Sequence, residues 1–219
     1  MAAVVAIAQQ KGGAGKTSLA IHLATCWAAQ DRGHRITLFD LDPQQSLSAW
    51  FNLREELHGA DERIRLQAST GWRVASEVSQ ARKGSDVVIV DCPPHAEPTM
   101  RIAIRAADLV VVPLQLSPMD IWAAQPTMQM IRAENRKALL VLNRVPSRAK
   151  VAGTIADALK KEQLPIASAA LGNRVAFSAS LMNGRGVYET EPRSAAGEEI
   201  MSLTAEVMDQ LKKWRGETH

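Results

Sequence analysis

The chain is poor in aromatic residues, in cysteine and in long apolar runs, and its opposite charges nearly cancel. Its 219 residues include five tryptophans, three phenylalanines and one tyrosine. That is too few for the aromatic stacking platforms that bind single-stranded nucleic acid. Two cysteines are too few for a disulfide framework and are compatible with a reducing cytosol. No stretch approaches about 18 consecutive apolar residues, so we expect a cytoplasmic protein without a spanning helix.

Short apolar runs alternate with helical patterns along the chain. The runs are continuous rather than alternating, which is typical of strands buried on both faces of a parallel sheet. Strands are predicted at 3–8, 36–39, 87–90, 109–112 and 139–142, and weaker ones at 65–68 and 166–169. Helices are predicted near 16–30, 47–57, 71–82, 97–106, 121–134, 153–162, 174–182 and 195–215. We predict a single α/β domain over residues 1–219, with a doubly wound, mainly parallel sheet flanked by helices.

A glycine-rich segment, QQKGGAGKTS over residues 9–18, joins the first strand to the first helix. Its glycines let backbone N–H groups turn inward around phosphate oxygens, and the helix N-terminus adds partial positive charge. Lys16 would reach the β- and γ-phosphates, and the Thr17 hydroxyl would bind Mg²⁺. A glycine-rich turn without a ligand is the alternative, and the order of strand, loop, Lys-Thr and helix favours a phosphate loop. The predicted nucleotide contacts are Lys11, Gly12, Gly13, Ala14, Gly15, Lys16, Thr17 and Ser18.

An extra lysine distinguishes this loop from the ordinary pattern G-x-x-x-x-G-K-T. Residue 10 is Gln where that pattern has Gly, and Lys11 precedes Gly12. The form K-G-G-x-G-K-T is the deviant Walker A motif, and with it the chain resembles the ParA/MinD superfamily of P-loop ATPases. Its short length, without an N-terminal DNA-binding extension, resembles the small ParA proteins of plasmid partition and cargo positioning. The resemblance covers nearly the whole chain, because three more motifs follow in the family's order. The resemblance implies ATP and Mg²⁺ as cofactors and slow ATP hydrolysis.

Two carboxylates end the second predicted strand, in LFDLDPQQ over residues 38–45. Asp40 and Asp42 are two residues apart, so in an extended chain they face the same side, at the sheet edge where ligands bind. The resemblance implies that Asp42 positions the attacking water and that Asp40 supports the Mg²⁺ shell. An acidic cluster that starts a helix at Pro43 is the alternative, which the neighbouring phosphate loop disfavours.

A third carboxylate ends the strand in DVVIVDCPP over residues 86–94. Asp91, at the strand tip of this Walker B pattern, would hold Mg²⁺ through water. Cys92 follows it, and because no histidine partner is evident we expect a packed thiol rather than a nucleophile.

The fourth motif is LNR over residues 142–144. The resemblance implies that Asn143 reads the adenine edge and that Arg144 belongs to the same nucleotide site. An Asn at a strand end is also common turn chemistry, which leaves that interpretation open. Residues 113–120, PLQLSPMD, resemble a proline-containing segment of the family and are expected to line the nucleotide pocket and the subunit contact.

Lys11 is the residue on which an expected dimer depends. In the family, the matching lysine reaches the ATP of the partner subunit, a role comparable to that of an arginine finger. The resemblance therefore implies a homodimer with two ATP molecules between its subunits, which loosens when hydrolysis removes the γ-phosphate. It also implies a ParB-like or other adaptor protein that accelerates hydrolysis. A solvated loop lysine is the alternative.

Basic residues are concentrated in the last part of the chain. Residues 132–219 carry a net charge of +4, whereas residues 1–131 carry −1. Doubled by dimerisation, such a surface would contact enough phosphates for salt-sensitive, non-specific binding of double-stranded DNA. An ordinary solvated surface is the alternative, and the resemblance favours DNA and a nucleoid-associated protein. The candidate DNA contacts are Arg148, Lys150, Lys160, Lys161, Arg174 and Arg185.

A membrane-associated function is the competing hypothesis. An apolar stripe at helical spacing is formed by Ile200, Leu203, Val207, Leu211 and Trp214. With basic residues at its end, this stripe is typical of an interfacial helix, as in MinD-like positioning ATPases. A helix docked on the sheet has the same pattern, and because only residues 216–219 follow, we expect docking. The nitrogenase iron-protein branch is disfavoured, because the two cysteines do not obviously match the ligands of a shared cluster.

Overall fold

A six-stranded parallel sheet organises the chain. The structure is a computed structural model that describes residues 1–30, 33–69, 71–146 and 164–216. The strands are β1 (Ala3–Ile7), β2 (Ile36–Asp40), β3 (Ile64–Ala68), β4 (Val87–Asp91), β5 (Leu109–Leu114) and β6 (Lys137–Leu142). Their order across the sheet is β3-β2-β4-β1-β5-β6. The prediction of a doubly wound parallel sheet is confirmed.

Helices connect the strands and cover both faces of the sheet. They are α1 (Lys16–Ala29), α2 (Ser46–His58), α3 (Val74–Ala81), α4 (Glu97–Ala106), α5 (Pro118–Ala133), α6 (Val175–Met182), α7 (Val187–Thr190) and α8 (Ala195–Gly216). Helices α1, α2 and α8 bury apolar side chains on one face, and α3, α4 and α5 do so on the other. Residues in β1, β2, β4 and β5 are buried throughout, which explains why these strands lack an alternating pattern.

The apolar stripe of the last helix lies in the core. Ile200, Leu203 and Val207 are fully buried, and Leu211 is nearly so. Together they pack in the same cluster as β1 and α1. The stripe therefore docks α8 on the sheet, as expected.

Three predicted elements differ from the structure. The strand predicted at 166–169 is wrong: Ile166 forms only an isolated bridge with Leu140. After Ala167 donates to Leu140, the Ala169 N–H that would continue a ladder to β6 donates to Glu206 instead. The helix predicted over 71–82 begins as a 3-10 turn, Gly71–Arg73, and the helix predicted from 121 begins earlier. The start of this second helix, α5, is fixed by Ser117, whose Oγ accepts a hydrogen bond from the Asp120 N–H at 3.1 Å. The helix predicted at 153–162 lies outside the described residues.

Strand register brings the four motifs to one edge of the sheet. Asp91 pairs with Ile7 at the end of β1 and with Asp40 at the end of β2. The phosphate loop therefore starts beside the Walker B carboxylate. Asn143 follows β6 at the same edge, because all six strands run parallel. This is the edge where open α/β sheets bind their ligands.

Candidate nucleotide site

The phosphate loop has the backbone conformation that its glycines predict. Gly13 and Gly15 have φ angles of +74° and +90°, which side chains other than glycine rarely adopt. Among the described residues, no atom lies within 4 Å of a Cβ built on Gly12 or Gly13, so this stretch faces open space. At Gly15 a Cβ would lie 2.5 Å from the Asn143 Nδ2. The loop is thus held against β6 at one end and open for a ligand at the other.

Lys16 lies inside the cleft. Its side chain is largely buried, with a residue exposure of 7 %, and its Nζ donates a hydrogen bond of 3.4 Å to the Lys11 carbonyl. Burial lowers the pKa of Lys16, and the nearby carboxylates of Asp91 and Asp42 act in the opposite direction. A buried ammonium group next to carboxylates at a helix N-terminus is suited to phosphate oxygens.

Thr17 and Asp91 form the candidate magnesium site. The Thr17 Oγ1 donates a 2.7 Å hydrogen bond to one oxygen of Asp91. The other oxygen, Oδ1, is buried and has no hydrogen-bond partner among the described residues. Burial raises the pKa of Asp91 to about 7, and the neighbouring carboxyl of Asp40 contributes in the same direction. An unpaired, buried carboxylate oxygen beside a threonine hydroxyl fits Mg²⁺ and its water ligands.

The two carboxyls of the second motif have different surroundings. Asp40 accepts hydrogen bonds from the Asp42 N–H at 3.1 Å and from the N–H and Oγ of Ser48 at 2.9 and 2.7 Å. It thereby fixes the first turn of α2, and its contribution to a magnesium shell stays a prediction. Asp42 is half-buried and accepts one hydrogen bond, from the Gln44 N–H at 2.9 Å.

Lys11 reaches the start of α5. Its Nζ forms an ion pair of 2.6 Å with the Oδ1 of Asp120, and the Lys11 side chain is 39 % exposed. The Ser117 hydroxyl donates to the other oxygen of Asp120. Nearby, Gln115 Nε2 donates to the Gly13 carbonyl at 3.1 Å. The segment 113–120 therefore contacts the phosphate loop, and Asp120 is a partner that sequence reasoning missed.

A cavity of about 320 Å³ adjoins the loop on the side of β6. Asn143 and Arg144 line it together with the first turns of α1. The Asn143 Nδ2 donates to the Ala14 carbonyl at 2.9 Å, and its Oδ1 accepts from the Arg144 N–H at 3.0 Å. The cavity is lined, besides Asn143 and Arg144, by Ser18, Leu19, His22, Leu171, Gly172, Asn173, Arg174, Phe177, Ser178 and Leu181. Its position next to the phosphate loop suits the base and ribose of a nucleotide.

His22 supports the inner wall of this cavity. Its Nδ1 accepts a 3.2 Å hydrogen bond from the Val187 N–H, and its ring meets the Phe177 ring edge-on at 5.1 Å. Burial lowers the pKa of His22 to about 4, so the imidazole is neutral. Sequence reasoning missed this residue because a histidine inside an apolar helix carries no motif.

Only two of the six candidate DNA contacts lie among the described residues. Arg148, Lys150, Lys160 and Lys161 lie outside the described residues. Arg174 lines the cavity and pairs with Glu199, with 2.6 Å between its Nη2 and the Glu199 Oε1. That hydrogen bond raises the pKa of Arg174. Arg185 is exposed.

Both thiols are buried. Burial strongly raises the pKa of Cys92, so its thiol is protonated, as expected for a packed side chain. Cys26 lies in α1 and contacts the Thr204 hydroxyl at 3.4 Å. The part of the chain that the structure describes contains no cluster of three or more His, Cys, Asp or Glu side chains arranged for a metal.

A parallel sheet with a phosphate loop at its carboxyl edge defines a P-loop NTPase fold. The CobQ/CobB/MinD/ParA nucleotide binding domain matches residues 5–187. The chain therefore belongs to this family, and the predicted ParA/MinD relationship is confirmed.

Named relatives agree with this assignment. Maintenance of carboxysome distribution protein A of Halothiobacillus neapolitanus is 27 % identical over 211 residues, covering 93 % of this chain and 95 % of that protein. Protein ParA of Rhizobium radiobacter is 34 % identical over 137 residues, covering 62 % of this chain and 59 % of that protein. The cell division ATPase MinD of Pyrococcus furiosus superposes with a TM-score of 0.78 at 16 % identity, covering 96 % of this chain and 100 % of that one. The last similarity shows the fold.

Proposed function

We propose that this chain, acting as one domain over residues 1–219, is a ParA-type ATPase that uses ATP to join two copies of itself and positions a cargo on DNA. The observation that carries the proposal is the contrast between its two loop lysines. Lys16 is buried beside carboxylates, whereas Lys11 is half-exposed and held at the start of α5 by Asp120. This contrast supports one lysine serving the ATP of its own chain and the other reaching the ATP of a partner.

ATP binds with its phosphates on the glycine loop and its base in the adjoining cavity. Lys16 and the N–H groups of α1 neutralise phosphate charge. Thr17 and Asp91 would hold Mg²⁺, with Asp40 supporting its water shell, and the ion would supply positive charge that offsets the charge of the phosphates. Asn143 and Arg144 border the base.

Hydrolysis converts ATP and water into ADP and phosphate. Asp42 is half-buried and near enough to Lys16 for its charge to raise the pKa of that lysine, and its carboxylate orients the attacking water. Lys11 of the partner copy stabilises the charge that develops on the transferred phosphoryl group. Loss of the γ-phosphate removes this contact, and the two copies separate.

The cargo function rests on the relatives and on charge. One relative is named for maintaining carboxysome distribution and another is a ParA protein. The excess of basic residues after residue 131 supports non-specific DNA binding by the ATP-bound dimer, with Arg185 an exposed candidate contact. A ParB-like or other adaptor protein stimulates hydrolysis, and the dimer is associated with the nucleoid.

The membrane alternative loses its main support. The apolar stripe of α8 that would enter a bilayer is packed against the core of the domain. Among the helices of the described residues, none has the length and apolar character needed to cross a bilayer.

A mobility shift on duplex DNA of arbitrary sequence tests the proposal. We expect a shift with ATP and Mg²⁺ that is absent with ADP and absent in Lys16→Ala. Its midpoint should weaken by orders of magnitude between about 50 and 200 mM salt. Lack of a shift at low salt with ATP would contradict DNA binding, and ATP-dependent sedimentation with anionic liposomes would then favour the membrane alternative.

A further inference from the structure

One wall of the cavity is formed by a segment that contains little regular secondary structure. We call residues 164–174 the edge segment, because they run beside β6, the outermost strand on that side of the sheet. Backbone hydrogen bonds attach one side of it to β6 and the following turn. Leu171 donates to the Leu142 carbonyl at 2.9 Å, and Asn173 donates to the Val145 carbonyl at 2.8 Å.

Two carboxylates of α8 attach the other side of the edge segment. The two oxygens of Glu206 accept hydrogen bonds from the N–H groups of Ser168 at 2.8 Å and Ala169 at 3.0 Å. The Oε2 of Glu199 accepts from the Gly172 N–H at 2.9 Å, and both Glu199 oxygens accept from the Arg174 guanidinium at 2.6 to 3.1 Å. Every oxygen of the two carboxylates is therefore used by the segment.

Helix α8 is a fixed support for these contacts. Glu199 and Glu206 are seven residues apart, which places them on one side of the helix two turns from each other. The buried stripe that includes Leu203 and Val207 holds the helix on the core. Unlike a flexible surface pair, the two carboxylates belong to a helix whose position is already set.

The supported end of the edge segment is a wall of the cavity. Leu171, Gly172, Asn173 and Arg174 all line it. Glu199 and Glu206 bind the edge segment, whereas the phosphate loop is held by Asn143 and Gln115. A change in the carboxylates should therefore move this wall and leave the phosphate loop in place.

We infer that Glu199 and Glu206 are positioning residues for the nucleoside-binding wall, so that α8 sets the affinity for the base and ribose but not for the phosphates. The inference rests on the proposed function, since it takes the cavity to be the base side of the ATP site. The carboxylates act through the edge segment and do not touch the nucleotide. They provide acceptors only, and an amide in the same place would direct N–H groups at the donors of the wall.

Titration calorimetry with two ligands tests the inference. The probes are ATP and inorganic tripolyphosphate, each with Mg²⁺, and the variants are Glu199→Gln and Glu206→Gln. Glu198→Gln is the matched control, because Glu198 lies next in sequence on α8 with an exposed side chain. We expect Glu199→Gln to raise the dissociation constant of ATP about five- to tenfold. The constant for tripolyphosphate should stay within about twofold of wild type, and Glu206→Gln should show the same selectivity with a smaller effect.

Each other outcome is informative. Equal weakening of both ligands, or no change with either, would overturn the inference while wild-type ATP binding still supports the proposed function. A wild-type chain that binds neither ligand would contradict the proposed function itself and the inference with it. If Glu199→Gln fails to fold, the Glu206→Gln arm decides by the same comparison.

Discussion

The two sides of the phosphate loop hold lysines five residues apart in very different surroundings. Lys16 is buried, its pKa is lowered by that burial, and its nearest charges are the carboxylates of the cleft. Lys11 is half-exposed and bonded to Asp120 from a helix 109 residues later in the chain. We therefore expect burial and the choice of partner carboxylate, rather than residue type, to decide which phosphate each lysine contacts.

A ligand must replace what each lysine already has. Lys16 has little water to lose and gains phosphate oxygens when ATP enters. For Lys11 to contact another copy, its ammonium must leave Asp120, an exchange of one ionic partner for another. We call the Lys16 side of the loop the inner side and the Lys11 side the outer side. The inner side is therefore expected to control ATP binding, and the outer side to control the association of two copies.

The largest expected effect comes from Lys16→Ala. Removing the ammonium leaves Asp91 and Asp42 without a nearby buried cation, so negative phosphates should be repelled. We expect ATP affinity to fall by about 100-fold or more, with association lost as a consequence. Calorimetric titration with Mg-ATP measures the change, and Lys83→Ala, at an exposed lysine, is the matched control. A dissociation constant within about threefold of wild type would remove the distinction between the two sides.

The second-largest expected effect is a pH dependence of stability that a buried histidine has and an exposed one lacks. The pKa of His22 is lowered to about 4 by burial, so it is depressed relative to the unfolded chain, near about 6.5. A depressed folded pKa contributes stability that is present above the unfolded pKa and is lost as the pH falls through the folded one. Between pH of about 6.5 and 4, wild type should therefore lose on the order of 2–3 kcal/mol more unfolding free energy than His22→Asn.

Urea unfolding across that pH range measures the difference. Asparagine keeps an oxygen that can accept from the Val187 N–H, and His58→Asn is the control at an exposed histidine. Parallel pH profiles of wild type and His22→Asn would show that His22 does not titrate as a buried base.

The smallest effect tests the outer side. Asp120→Asn keeps the shape of the side chain but removes the charge that holds Lys11. Because partly exposed ion pairs are weak, we expect the ATP-dependent dimer to tighten only about two- to fivefold. Analytical ultracentrifugation with ATP measures it, and Asp209→Asn is the control at an exposed pair on α8. A weaker dimer would instead mean that Asp120 helps to join the copies.

The sequence predicts the inner side well because its determinants are local. The first strand, the glycine loop and α1 are consecutive, so motif spacing fixes the geometry of Lys16 and Thr17. Asp91 was predictable from the apolar strand that it ends. The order of motifs also predicts that Asn143 borders the ligand cavity.

What the sequence could not predict arises from long-range packing. Nothing local joins Lys11 to Asp120, which lies 109 residues later in the chain. The cavity wall at Leu171 and Arg174 depends on β6 on one side and on α8 on the other. Arg174 was predicted to contact DNA, and the structure adds a partner that the sequence did not indicate, Glu199, which binds it against the wall.

The division of roles between the two lysines is tested most directly by light scattering. Wild type and Lys11→Ala are compared with ATP and Mg²⁺, and calorimetry on the same samples measures ATP binding. We predict that both proteins bind ATP with similar affinity, that wild type doubles its mass and that Lys11→Ala keeps the mass of one copy. Wild type that stays at one copy when saturated with ATP, or Lys11→Ala that pairs as readily as wild type, would contradict the division of roles between the two lysines.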